Sequence, residues 1–245
     1  MGSMKMKRAS HGVRDTREQG EPLTRRIQRI ELAVFLFLIV PSMAFSFFVI
    51  KQGTLSFTLT AVATILRDLG LVSLIFFFLW RNDEARRRIG WTVTNGWEEV
   101  MVGLFLFIPL LYGMNVLEQA LQATGFSVPS KPLPSFLAAK GIGEYFLASL
   151  LVIVVAAAEE TIFRGYLILR LQAVTANSAA AIILSAVIFA LGHGYEGSAG
   201  VVTVGVMGLI FALVYLWRQS LVAPMVMHFL QDFMGIVLLP MLGMK

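Results

Sequence analysis

From residue 32 to residue 239 the chain returns repeatedly to apolar runs near the ~20 residues that cross a ~30 Å hydrocarbon core, and that recurrence leaves few folds open to it. Inside a bilayer no water satisfies the backbone, and a helix satisfies its own amides within the segment. Runs at 32–50, 100–117, 142–172, 178–193, 199–217 and 220–239, with another ending in Ile75-Phe76-Phe77-Phe78-Leu79-Trp80, predict about seven or eight transmembrane helices. The fold class read from this pattern is all-α, a polytopic integral membrane helical bundle. Hydrophobic residues make up 57% of the 245 residues and charged ones only 14%, with a mean hydropathy of +0.77, so no separate soluble domain fits.

The ends of these runs suggest an orientation. Residues 1–29 are polar and carry Lys5, Lys7, Arg8, Arg14, Arg17, Arg25, Arg26 and Arg29 against Asp15, Glu18 and Glu21, the pattern of a disordered basic cytoplasmic tail. Residues 30–245 then form a single transmembrane domain. The run at 32–50 is too long for a cleaved signal core and reads as a first span. Between residues 81 and 88, Arg81, Arg86, Arg87 and Arg88 outnumber Asp83 and Glu84, which places that loop on the side of the tail. The expected location is the plasma (inner) membrane with a cytoplasmic N-terminus. Residues 118–141, with Gly125, Pro129, Pro132 and Pro134, read as a long loop or re-entrant segment able to cover a site. The net charge of +5 is accounted for by charges flanking apolar segments, so a nucleic-acid partner is not expected. Cysteine is absent, which removes disulfides, thiolate nucleophiles and iron–sulfur clusters and leaves the chemistry to oxygen and nitrogen groups.

Against this background Glu159, Glu160 and Arg164 are an energetic anomaly. A charge at the centre of a spanning helix costs about 2.5–3.5 kcal/mol on insertion scales, and the default reading of such a cluster is a functional site. Farther along the apolar half stand His193, then His228 and Asp232; the only other histidine, His11, lies in the tail. Positions four apart share a helix face, which pairs Glu160 with Arg164, Phe189 with His193 and His228 with Asp232. Glu159 is turned about 100° from Glu160 and is left free of that ion pair. If 142–172 and 178–193 form an antiparallel hairpin turning near Ala176-Asn177, Glu159 and His193 each lie about seventeen residues from the turn. Both then sit roughly 25 Å from it, at a common depth.

A carboxylate facing a histidine in a dry pocket suits the activation of water, and a second histidine suits donation to an oxyanion. Other readings remain open on the residues alone. Carboxylate and imidazole groups are also zinc ligands, although no His-Glu-x-x-His helix is present. Embedded acids and histidines also serve proton relays in transporters, and an immunity or scaffold protein would use them only for packing. Arg67-Asp68 in the second span reads as a structural pair, and Glu98-Glu99 beside Trp97 as an interfacial anchor.

The three groups also match a known pattern. Glu159-Glu160-Thr161-Ile162-Phe163-Arg164, Phe189-Ala190-Leu191-Gly192-His193 and His228-Phe229-Leu230-Gln231-Asp232, in this order on three apolar segments, resemble the motifs of the CPBP family of CAAX prenyl protease and bacteriocin-processing intramembrane endopeptidases, over about residues 142–240. The resemblance implies a glutamate-type intramembrane protease without cofactor or metal, acting on a membrane-associated or lipid-modified peptide within the bilayer. Glu159 would be the general base and, with His193, would activate water. Glu160 and Arg164 would be an ion pair holding the site together, and His228 and Asp232 would line the oxyanion side. Many members carry Asn where this chain has Asp232. An ionised Asp has no proton to donate, so Asp232 is either protonated, an orienter of His228, or an aid to water.

Overall fold

The computed structural model describes residues 25–49, 56–92, 95–129, 134 and 136–243. Helices are the only regular elements among them. In chain order they are α1 (Arg25–Val49), α2 (Phe57–Arg81), α3 (Gly96–Ala123), α4 (Gly141–Glu159), α5 (Ile168–Thr175), α6 (Ser178–Leu191), α7 (Gly197–Arg218), α8 (Val222–Asp232) and α9 (Leu239–Met241). Two π-helical segments, Glu160–Leu167 and Phe233–Leu238, join α4 to α5 and α8 to α9. Six candidate spans among the described residues are long and apolar enough to cross a membrane. The helix α6, with 14 residues, spans only about 21 Å and stops short of a full crossing. His193 follows it after Gly192 and is half-buried.

Local sequence explains the punctuation. Ser56 caps α2, its hydroxyl accepting from the Leu59 amide at 3.3 Å. Ala176 takes a left-handed conformation at φ 55° and ends α5, and Asn177 then caps α6 by accepting from the Ala180 amide at 3.1 Å. The hairpin expected near Ala176-Asn177 is therefore present. Two boundaries differ from expectation. Residues 25–29 of the basic tail form the first turn of α1, while residues 1–24 lie outside the described residues. The third span extends beyond 100–117 to Gly96–Ala123; at its far end Glu118, Gln119, Ala120, Leu121, Gln122 and Ala123 are good helix formers that continue the helix.

The start of α1 and the end of α2 meet in a network of charges. Arg170 of α5, 1% exposed, pairs with Glu31 and Glu84, and Arg81 and Asn82 also donate to Glu31. This places the origin of α1, the arginine-rich loop and α5 at one end of the bundle. A second buried pair corrects the reading of Glu98-Glu99 as a mere anchor: Glu99 is 5% exposed and receives a bidentate contact from Arg218 of α7 at 2.7–3.2 Å. α3 packs on α8 and α7, α2 on α4, and α4 on α8, so the middle of the α4–α5 rod is surrounded on several sides.

Gly165 lies in the π-helical segment, where a Cβ would stand 2.8 Å from the Ile89 carbonyl. The backbone there has little freedom to retreat, so Gly165→Ala is expected to destabilise the protein by about 1–3 kcal/mol through overpacking. Thermal unfolding of the purified variant in detergent checks this; an unchanged midpoint would mean that the loop carrying Ile89 yields.

Candidate active site

Arg164 is the enclosed centre of the polar cluster. It projects from the π-helical segment, is 1% exposed, and donates through Nη1 to Glu160 Oε1 at 2.8 Å and through Nη2 to the Gly208 carbonyl at 3.4 Å. Phe189 and Phe211 cover the guanidinium, with ring centroids 4.3 and 5.1 Å away. A buried cation needs both a counter-charge and satisfied donors, and the quadrupoles of two aromatic rings add to these. Gly208 leaves room for the Phe189 ring that covers the guanidinium, since a Cβ there would lie 3.2 Å from Phe189 Cδ1.

Glu160, fully buried, has a second partner that its spacing does not reveal. Its Oε1 also meets His228 Nδ1 at 2.8 Å, across from α8. A carboxylate only accepts, so Nδ1 carries the proton and the tautomer is set by Glu160. The other ring nitrogen, Nε2, then faces Asp232 Oδ2 at 3.5 Å and Glu159 Oε2 at 3.8 Å. Glu160 thus joins the arginine to the imidazole, and the imidazole presents Nε2 to two further carboxylates.

The π-helical segment contributes to this geometry. Its turn is wider than an α-turn, a feature that recurs at functional sites. Within it the Phe163 carbonyl accepts from Ser185 of α6 at 2.7 Å, and Trp91 Nε1 donates to the Thr161 hydroxyl at 3.1 Å. The segment is thereby fixed to α6 on one side and to the arginine-rich loop on the other. Glu159 and Glu160 stand at its entrance, and Asp232 stands just before the second π-helical segment.

Of the residues expected from sequence, Glu159, Glu160, Arg164, His228 and Asp232 are brought together. His193 occupies the adjoining turn. Its Nδ1 lies 3.1 Å from the Phe189 carbonyl and its ring 4.9 Å from the Phe189 ring, and it is close enough to Asp232 for their charges to interact. Among the described residues no ion pair joins it to Glu159. The Phe189 ring thus lies beside three side chains of the cluster, Arg164, His193 and His228, the last at a ring separation of 5.9 Å. The segment expected to cover the site reaches the same end: Phe136 packs edge-on against Tyr195 at 5.7 Å, and Tyr195 against His193 at 5.9 Å. Residues 130–133 and 135 of that segment lie outside the described residues.

Sequence reasoning missed one contribution. Glu159 lines a pocket of ≈ 20 Å³ together with Ser42 of α1 and Arg67 and Asp68 of α2. The Arg67-Asp68 pair carries no motif and precedes the motif-bearing region, so only the packing of α2 on α4 reveals it. No group of three His, Cys, Asp or Glu side chains among the described residues is arranged to hold a metal ion.

Residues 141–234 match the family model described as Type II CAAX prenyl endopeptidase Rce1-like. No curated protein and no solved structure matches the chain. The match spans α4 to α8 and includes all six residues of the cluster as read from sequence, Glu159, Glu160, Arg164, His193, His228 and Asp232. The part of this membrane protein that builds the buried polar cluster is thus similar to the Rce1-like CAAX prenyl endopeptidases, a family of proteases.

Proposed function

We propose that the protein is an intramembrane endopeptidase that hydrolyses a peptide bond of a membrane-associated or lipid-modified peptide with water activated by Glu159. The observation that carries the reading is the convergence on His228 Nε2 of Glu159 and Asp232, at 3.8 and 3.5 Å, inside the Rce1-like domain. Glu159 is the one carboxylate of the diglutamate not engaged by Arg164, which suits a base that must accept a proton and release it. His193 lies on the adjoining turn as the second group for water. His228 and Asp232 form the oxyanion side: Glu160 fixes the ring, and Nε2–H is the donor when the imidazole is protonated. Asp232 in the position of an Asn stabilises that protonated ring rather than donating itself.

The reaction proceeds without a covalent acyl-enzyme. Water attacks the carbonyl carbon, Glu159 takes the water proton and passes it to the leaving amine, and the carbon–nitrogen bond breaks. The N-terminus is cytoplasmic in this reading, with the charge network around Arg170 at the cytoplasmic end of the bundle.

Quantitative membrane proteomics of cells producing the wild type or Glu159→Ala tests the function. The expected result is accumulation of one or a few uncleaved membrane-associated proteins in the variant. Identical proteomes at equal expression would overturn the reading and return the cluster to a packing or proton-relay role. Metal analysis of active protein separates the zinc mechanism: stoichiometric zinc, with activity lost on chelation and restored by zinc, would replace the glutamate mechanism.

A further inference from the structure

The pocket beside Glu159 has a second acid, contributed from outside the Rce1-like segment. Asp68 is 1% exposed although it lies well inside the α2 span. Arg67 Nε donates to its Oδ1 at 2.8 Å, which fixes the carboxylate, and Oδ2 is buried with no hydrogen-bond partner in the protein. Glu159 Oε2 is likewise buried without one. Both residues line the same ≈ 20 Å³ pocket, and Asp68 is close enough to Glu159 and His228 for their charges to interact. Arg67 has a side chain 49% exposed within a spanning helix. A guanidinium so placed in lipid is costly, so this face of α2 borders a hydrated cleft.

Two acceptor-only oxygens on a pocket with room for about one water have a definite chemical preference. They cannot bond each other without a proton, and they match the two O–H groups of a single water. A water donating to both has its hydrogens fixed and its lone pairs turned toward an incoming carbonyl.

We propose that Asp68 is a catalytic residue of the hydrolysis, holding the attacking water jointly with Glu159. The proposal rests on the proteolytic reading above. The water donates one O–H to Glu159 and the other to Asp68. As its oxygen bonds to the scissile carbonyl carbon, the first proton moves to Glu159 and then to the amide nitrogen while the carbon–nitrogen bond breaks. The products are a carboxylic acid and an amine, and no reactant beyond water is consumed. Arg67 positions Asp68 by its hold on Oδ1. The amino-terminal half of the bundle thereby completes a site that the domain at 141–234 does not complete alone.

The test uses full-length protein in cells and, for the substrate found there, in proteoliposomes. Asp68→Asn is expected to accumulate the same uncleaved proteins as Glu159→Ala, and to lower kcat about 100-fold with KM within about twofold. The double variant Arg67→Met/Asp68→Leu replaces the pair by apolar groups of similar size, which a purely structural pair tolerates. It is expected to fold, by its thermal midpoint, and to remain as slow as Asp68→Asn. Wild-type processing by either variant, with Glu159→Ala still defective, would overturn the role of Asp68 and leave the proteolytic reading standing. Wild-type processing by Glu159→Ala would overturn both.

Discussion

Glu160→Ala is expected to be the most destabilising single change in the polar cluster, lowering stability by about 3–5 kcal/mol. Arg164 is fully enclosed, and Glu160 is its counter-charge at 2.8 Å; removing the carboxylate leaves a cation among Phe189, Phe211 and the Gly208 carbonyl. Thermal unfolding in detergent measures the loss. The double variant Glu160→Ala/Arg164→Met removes both charges, and much of the lost stability is expected to return, because an apolar pair is no worse in a buried site than the ion pair it replaces. Activity is not expected to return with it. His228 has lost the acceptor that fixed its Nδ1 proton and ring orientation, and loss of such a partner in metal sites, the nearest measured analogue, costs 10–100-fold. Recovery of both stability and turnover would reduce Glu160 to a counter-ion and remove its role in orienting His228.

That second role marks the limit of what sequence discloses. The Glu160–Arg164 pairing was legible because both groups lie on one helix, where spacing alone fixes the face. The hairpin turn at Ala176-Asn177 was legible as the break between two apolar runs. Contacts between helices depend on how each is rotated about its axis, and apolar sequences that are hydrophobic on all sides carry little record of that rotation. Hence the bond from His228 to Glu160 and the place of Asp68 beside Glu159 emerged only from the packing of α8 and α2 on α4. The π-helical segment was equally hidden, since no residue in Glu160–Leu167 announces a widened turn. The continuous rod from Gly141 to Thr175, 35 residues long, was legible in outline, because a hairpin arm over 142–172 carries Glu159 within it although hydropathy alone would end the helix there. Glu99 was misread for the opposite reason: its partner Arg218 is remote in sequence, and a carboxylate beside a tryptophan resembles an interfacial residue until that partner is seen.

Glu159→Gln is expected to abolish turnover, by about 10²–10⁴-fold, while leaving the protein as stable as the wild type or slightly more so. The two halves of this prediction have separate causes. The rate falls because an amide cannot accept the water proton, whatever its position. Stability is maintained because no protein group among the described residues donates a hydrogen bond to Glu159 Oε2, and its nearest ionic neighbour among them, His228 Nε2, is 3.8 Å away. A further charged carboxylate beside Asp68 and Asp232 is a cost to the folded state, and a neutral isostere reduces that cost. A residue kept despite such a cost belongs to function, in the way that active sites commonly hold groups that oppose stability. The comparison with Glu160 is therefore diagnostic for two adjacent glutamates. Thermal midpoints and cleavage rates of Glu159→Gln and Glu160→Ala, measured side by side, should separate them, the first losing activity alone and the second losing both. If Glu159→Gln instead unfolds as early as Glu160→Ala, Glu159 is a packing ion, and the water-activating role must be reassigned to another group on the pocket.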